Sequence, residues 1–154
     1  MDEVRLSLRL GSCGVRRTLA AAIVLVAATG CGATPVEPQP VSFPSIPLQS
    51  VESAGGHLHV GVWSSPQPPA QGNSAFRYVV TDDSGKPVDG LDVAVQPWMP
   101  DMDHGTGVTP SIQPMGAGVY ELTNVYLFMP GRWQLRTTFT GAVTDAATPD
   151  FQVP

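Results

Sequence analysis

"GRWQLRTTFTG", residues 131–141, changes polarity at almost every step. Trp133, Leu135, Thr137 and Phe139 fall on one side, and Arg132, Gln134, Arg136 and Thr138 on the other. A period of two is the mark of a strand with one buried face. The same period recurs on both sides of this stretch. "HLHVGVW" (57–63) gathers Leu58, Val60 and Val62 opposite His57, His59 and Gly61. "NSAFRYVVT" (73–81) gathers Phe76, Tyr78 and Val80, and "LDVAVQPW" (91–98) gathers Leu91, Val93 and Val95. "AGVYELTNVYL" (117–127) sets Val119, Glu121 and Thr123 against Tyr120, Leu122 and Asn124. "TPDFQVP" (148–154) reads as a short last strand. Turn residues separate these runs at intervals of roughly ten residues, the texture of a sandwich or barrel. The pattern predicts an all-β, immunoglobulin-like antiparallel β-sandwich of about seven strands over residues 51–154. No helical period of useful length follows residue 30.

The first thirty residues have a different texture. "MDEVRLSLRLGSCGVRR" carries Arg5, Arg9, Arg16 and Arg17, and "TLAAAIVLVAA" (18–28) is uncharged and apolar. A basic segment, a short apolar run and small residues before a cut site form the secretory pattern. The apolar run is roughly half of what spans a bilayer, so residues 1–30 read as a signal peptide. "AATGC", ending at Cys31, resembles a bacterial lipobox, with Ala28 where a leucine is usual. The resemblance implies that Cys31 becomes the lipidated first residue of the mature chain. "LGSC" at 10–13 fits such a box locally but precedes the apolar run. Residues 31–50 then form a tether, with "GATPVEPQPVSFPSIPLQS" (32–50) rich in proline. Proline fixes φ and removes a donor, so this segment is extended and stays out of a sheet interior. Val41, Phe43, Ile46 and Leu48 are apolar enough for its last residues to dock on the domain edge.

Beyond Cys31 there is no further cysteine, hence neither a disulfide nor a thiolate metal site. Eleven acids face four bases there, a net charge of −7 against −5 for the whole chain. An acidic domain with no basic stripe argues against nucleic acid. Membrane contact would come from the lipid, since nothing amphipathic and basic remains. Gly32 follows the cysteine, and not the aspartate that would resemble an inner-membrane retention signal, which favours the outer membrane in a diderm host.

Four stretches occur together: "AFRYVVTDDSGKPVDGLDVAV" (75–95), "WMPDMDHG" (98–105), "GAGVYEL" (116–122) and "FMPGRWQL" (128–135). The combination resembles the YtkA-like domain, which is related to the FixH family. The resemblance implies an immunoglobulin-like module, exported or membrane-tethered. Some relatives sit near copper handling and terminal-oxidase assembly. FixH proteins carry a transmembrane anchor, which the lipid on Cys31 would replace.

The chemistry concentrates in "PWMPDMDHGTG" (97–107). Every methionine after the first residue lies between positions 99 and 129: Met99, Met102, Met115 and Met129. Thioether and imidazole suit Cu(I). Met99, Met102 and His104, spaced M-x-x-M-x-H, are therefore candidate Cu(I) ligands, with Met115 and Met129 as further donors if their turns share the loop's end of the sandwich. His57 and His59 share a strand face on another element. The competing structural reading is that Met129 and Met99 cover one end of the core, methionine being a filler of irregular gaps. In that reading Asp101, Asp103 and His104 are turn chemistry, with Gly105 and Gly107 at positive φ. "DMDHGTG" lacks the downstream bidentate glutamate of a calcium loop, and zinc would want more histidines. There is no nucleophile elbow, no phosphate loop and no available cysteine nucleophile, so the chain is not expected to be an enzyme. Two readings remain. One is a membrane-tethered cell-envelope module that binds copper through the Met/His loop. The other is an immunoglobulin-like interaction module presenting Trp98 to an envelope protein, tryptophan and methionine being favoured at interfaces.

Overall fold

The computed structural model describes residues 40–154. The expected signal peptide and the expected lipidation of Cys31 fall on residues outside the described ones. Ten strands alternate with turns: β1 (Gln49–Glu52), β2 (His59–Ser65), β3 (Gly72–Thr81), β4 (Asp92–Met99), β5 (His104–Gly105), β6 (Ser111–Gly116), β7 (Val119–Leu127), β8 (Gly131–Thr140), β9 (Asp145–Ala147) and β10 (Asp150–Val153). One antiparallel sheet has the order β1-β2-β3-β7-β6. The other runs β10-β8-β4-β5, with β9 also paired to β8. The architecture is the antiparallel sandwich that the alternation predicts. The six runs named above are six of the ten; β1, β5 and β9 are short pieces with too few residues to show a period, and β6 is exposed at five of its six positions and does not alternate.

The inward sets named above do form the core. Leu58, Val60, Val62, Phe76, Tyr78 and Val80 are fully buried from the first sheet, and Trp133, Leu135 and Phe139 from the second. Burying each such apolar side chain stabilises by about 1.5–3 kcal/mol. β7 departs from the simple pattern. Tyr120 and Leu122 point inward as expected, but the next buried residues are Val125 and Leu127. A bulge opposite Ser74–Phe76 absorbs the extra residue, with Asn124 at φ 59°. An extra residue shifts the phase of a strand, and Asn tolerates the left-handed region better than most.

Two polar links cross the interior. The Tyr78 hydroxyl lies 3.1 Å from Thr137 Oγ1, and Thr137 Oγ1 donates to the Leu135 carbonyl at 3.1 Å. Burial pushes the Tyr78 phenol pKa up. Tyr120 Oη donates to the Val88 carbonyl at 3.0 Å and accepts from Leu91 N–H at 3.1 Å, tying the β3–β4 connection down. That connection turns through Asp82, whose carboxylate accepts from Ser84 and Lys86. It carries the chain from the first sheet to the second, as the "TDDSGKPVDG" turn residues imply.

The last residues of the proline-rich segment dock. The Arg77 guanidinium lies 4.3 Å from the Phe43 ring centroid. Leu48 N–H donates to the Val62 carbonyl at 2.7 Å, and β1 begins at Gln49, two residues before the expected domain start. Val41 and Phe43 are half-buried, whereas Ile46 is exposed.

Asp145 on β9 fastens the loop before β2. Its carboxylate accepts from Ser53 Oγ at 2.6 Å, Gly55 N–H at 2.7 Å, Ala146 N–H at 2.7 Å and His57 N–H at 3.3 Å. These bonds, the Ser53 hydroxyl first, hold its pKa down to about 2 against 3.8. A depressed carboxylate stabilises the fold above its unfolded pKa and ceases to do so as pH falls through the folded value. Melting followed from pH 7 down to pH 2 should therefore show Asp145→Asn less stable than the parent at neutrality, with the gap narrowing between about pH 4 and pH 2. A gap that stays constant across that window would deny the carboxylate this role.

Candidate functional site

β4 carries Val93, Val95, Pro97 and Met99 inward and Ala94, Gln96 and Trp98 outward. The chain then reverses: Met102 N–H donates to the Met99 carbonyl at 3.3 Å, and Asp103 sits at φ 53°. The positive φ of this turn thus falls on Asp103, not on Gly105 or Gly107 as expected; aspartate is among the residues that tolerate it. The returning β5 pairs Met99 with His104 and Trp98 with Gly105. Gly105 is required by space. A Cβ there would sit 2.7 Å from the Pro97 carbonyl oxygen and 3.1 Å from the Trp98 ring.

Directly opposed residues of an antiparallel pair put their side chains on the same face, with Cβ atoms about 5 Å apart. Met99 and His104 are such a pair. Met99 is 3% exposed, and its Cε would lie 2.9 Å from a Cβ at Gly131. His104 is half-buried and stacks on Phe128, centroids 5.5 Å apart at 19°. Phe128 in turn meets the Trp133 ring edge-on at 5.3 Å. Trp133 Nε1 donates to the Met129 carbonyl at 3.0 Å, which fixes the turn bearing Met129. Met129 is half-buried and packs on the core. Met102 stands at the tip, 57% exposed.

Four of the five candidate ligands therefore share one end of the sandwich: Met99, Met102, His104 and Met129. Met115 does not join them. It lies on β6 beside the hairpin that leads into Val119, 57% exposed. Its neighbour Tyr120 is eight residues from Phe128, which places Met115 roughly 25 Å away along β7. The condition that Met115 share the loop's end is met by Met129 and not by Met115, because β6 runs away from the loop before it turns. His57 and His59 are also remote. His59 sits 3.6 Å from Asp83 at the opposite end, both exposed.

Trp98 is not at the loop tip either. It lies on the outward face of β4 with the Arg136 guanidinium 4.2 Å from its ring centroid. It is therefore presented by the sheet face and not by the loop tip, because the parity that buries Met99 turns Trp98 outward. Among the described residues no three His, Cys, Asp or Glu side chains gather in a metal-holding group. The hard-donor readings of Asp101 and Asp103 gain nothing from this geometry. What the end offers is soft: thioethers beside one imidazole, backed by aromatic rings. Phe128 and Trp133 form that backing, and sequence reasoning gave Trp133 a core position and neither of them a place in the site. Their signal was present in "FMPGRW", where a turn places aromatics on both sides of Met129.

Comparisons with known proteins agree with this fold. No curated protein matches the chain. The crystal structure of a DUF4426 family protein from Pseudomonas aeruginosa PAO1 is similar at 13% identity with a TM-score of 0.50, covering 68% of this chain and 96% of that one. That likeness concerns the fold alone. The YtkA-like family model matches residues 57–138, from β2 through most of β8, which includes the whole loop from Met99 to His104. The chain belongs to the YtkA-like family.

Proposed function

We propose that this YtkA-like domain is a tethered module of the cell envelope that binds Cu(I) at the loop end of the sandwich. Met99, His104 and Met129 are the central donors and Met102 the outer one. Bound there, copper would be held as a carried or sensed ion, and the protein would supply only the soft donors and a partly dry end. The observation that carries this reading is the cross-strand pairing of Met99 with His104 at the end where Met129 also packs. A core needs no imidazole at such a place, whereas Cu(I) favours mixed thioether and imidazole sets. Lipidation of Cys31 is the proposed attachment, in the outer membrane of a diderm host, with residues 31–50 as the spacer.

A protein-interaction reading is favoured by one feature of the same end. Met102 is exposed, and Tyr126, 39% exposed, lies 6.4 Å from Phe128, which makes a small apolar surface. The two readings separate in a titration of the full chain carrying Cys13→Ser and Cys31→Ser, since thiolates would take Cu(I) themselves. Competition against a chromophoric Cu(I) chelator is expected to give one equivalent held by the protein. Failure to withdraw any Cu(I) from the chelator sinks the copper reading and leaves the interaction surface.

A further inference from the structure

The outward face of the second sheet contains a hollow that the thioether end does not use. It encloses about 520 Å³. One cross-strand row creates it. Ala94 on β4 lies opposite Thr138 on β8, and Thr138 opposite Ala146 on β9. Two alanines beside a threonine leave the middle of the face low. The next row stands tall, with Gln96 opposite Arg136, and Thr148 borders the same hollow.

Arg136 differs from the other arginines of the domain. Arg77 is paired with Glu121 at 2.6 Å and Arg132 with Asp150 at 2.7 Å. Arg136 has no carboxylate within ion-pairing reach among the described residues. Its guanidinium instead lies over Trp98, 4.2 Å from the ring centroid. Stacking holds the plane of a guanidinium while its N–H fork stays available at the edge. Next to it, the indole Nε1 of Trp98 is buried with no acceptor, which is uncommon in a native fold. Of these two unpartnered donors, Arg136 borders the hollow, while the Trp98 ring is the platform that carries its guanidinium.

We propose that this hollow binds a carboxylate-bearing ligand, with Arg136 as its anchoring cation and Gln96, Thr138 and Thr148 hydrogen-bonding the groups around the carboxylate. A guanidinium fork matches the two oxygens of a carboxylate. The local charge is a single positive one: Asp150 is taken up by Arg132 and Gln134, and Asp92 stands one row beyond the alanines, opposite Thr140. Within a domain of ten acids and four bases, a monoanion meets less repulsion than a phosphate dianion. The site is independent of the copper reading, because Met99 faces the interior and Arg136 the outside of the same sheet.

The test is an NMR titration of the full chain at low ionic strength, following the Arg136 Nε–Hε resonance. The probes are D-glucuronate and N-acetyl-glycylglycine, each against its neutral counterpart, D-glucose and N-acetyl-glycylglycinamide, with inorganic phosphate as a further arm. The acids are expected to move the resonance saturably, and the neutral counterparts not to. Whichever acid binds more tightly identifies a sugar acid or a peptide terminus as the source of the carboxylate. Arg136→Gln, read through backbone amides of Gln96 and Thr138, should weaken binding by at least about tenfold, the difference that 1.4 kcal/mol makes. Lys86→Gln, which removes a cation elsewhere, should leave it unchanged. No saturation with either acid, equal response to the neutral counterparts, tighter binding of phosphate, or unchanged affinity in Arg136→Gln would each overturn the proposal.

Discussion

Trp133→Ala is expected to lower stability by about 3–5 kcal/mol, the usual cost of emptying a large aromatic from a packed core. Trp133 is fully buried in the middle of the sandwich end. Its removal leaves a cavity and also takes away the edge-on contact with Phe128 and the donor that fixes the Met129 carbonyl. Urea unfolding should show a much lower midpoint. The consequence reaches further than stability, because Phe128 is the surface on which His104 lies. In the folded fraction, the His104 ring protons should move out from under the Phe128 ring current and the resonance should broaden. Trp133→Phe separates the two effects. It keeps an aromatic against Phe128 but loses the bond to Met129, so the His104 shift should stay near that of the parent while stability still falls. A His104 environment unchanged in Trp133→Ala would show that the loop end is held by something other than this aromatic stack.

Much of the fold was legible, and the reason is physical. β2, β3 and β8 are long strands with one buried face, so their periodicity survives in the sequence. Even the orientation of Met99 and Trp98 was available: the parity that buries Val93 and Val95 also buries Met99 and turns Trp98 outward. The bulge in β7 was not legible, because alternation through Asn124 looks continuous until the partner strand is known. Nor was β5, whose two residues are defined only by pairing with β4. Whether Met115 shares the loop's end is not legible either, because the direction of β6 is a property of the sheet. Arg136 lying on Trp98 was invisible for the same reason. The two residues are 38 positions apart, and only the β4–β8 register brings them to neighbouring rows.

At the proposed copper end, packing and ligation make opposite demands, and a pair of substitutions separates them. Met99→Leu keeps volume and hydrophobicity, so a purely structural Met99 should accept it at a cost below about 1.5 kcal/mol. Leucine has no sulfur. If Met99 donates to Cu(I), the same substitution should weaken Cu(I) binding by more than about 100-fold, above the loss that follows removal of a metal site's outer hydrogen-bond partner. His104→Ala should weaken it at least as much. It should cost little stability, since His104 is half-buried on one side of Phe128. Met115→Leu, on β6 at the other end of the sandwich, should change neither quantity. Binding constants come from chelator competition on the cysteine-free chain, and stability from urea midpoints on the same samples. The decisive comparison lies within one variant. Met99→Leu that folds like the parent and fails to hold copper assigns the sulfur a ligand's role, whereas Met99→Leu that folds and binds like the parent returns Met99 to the core and removes the central donor of the proposed site.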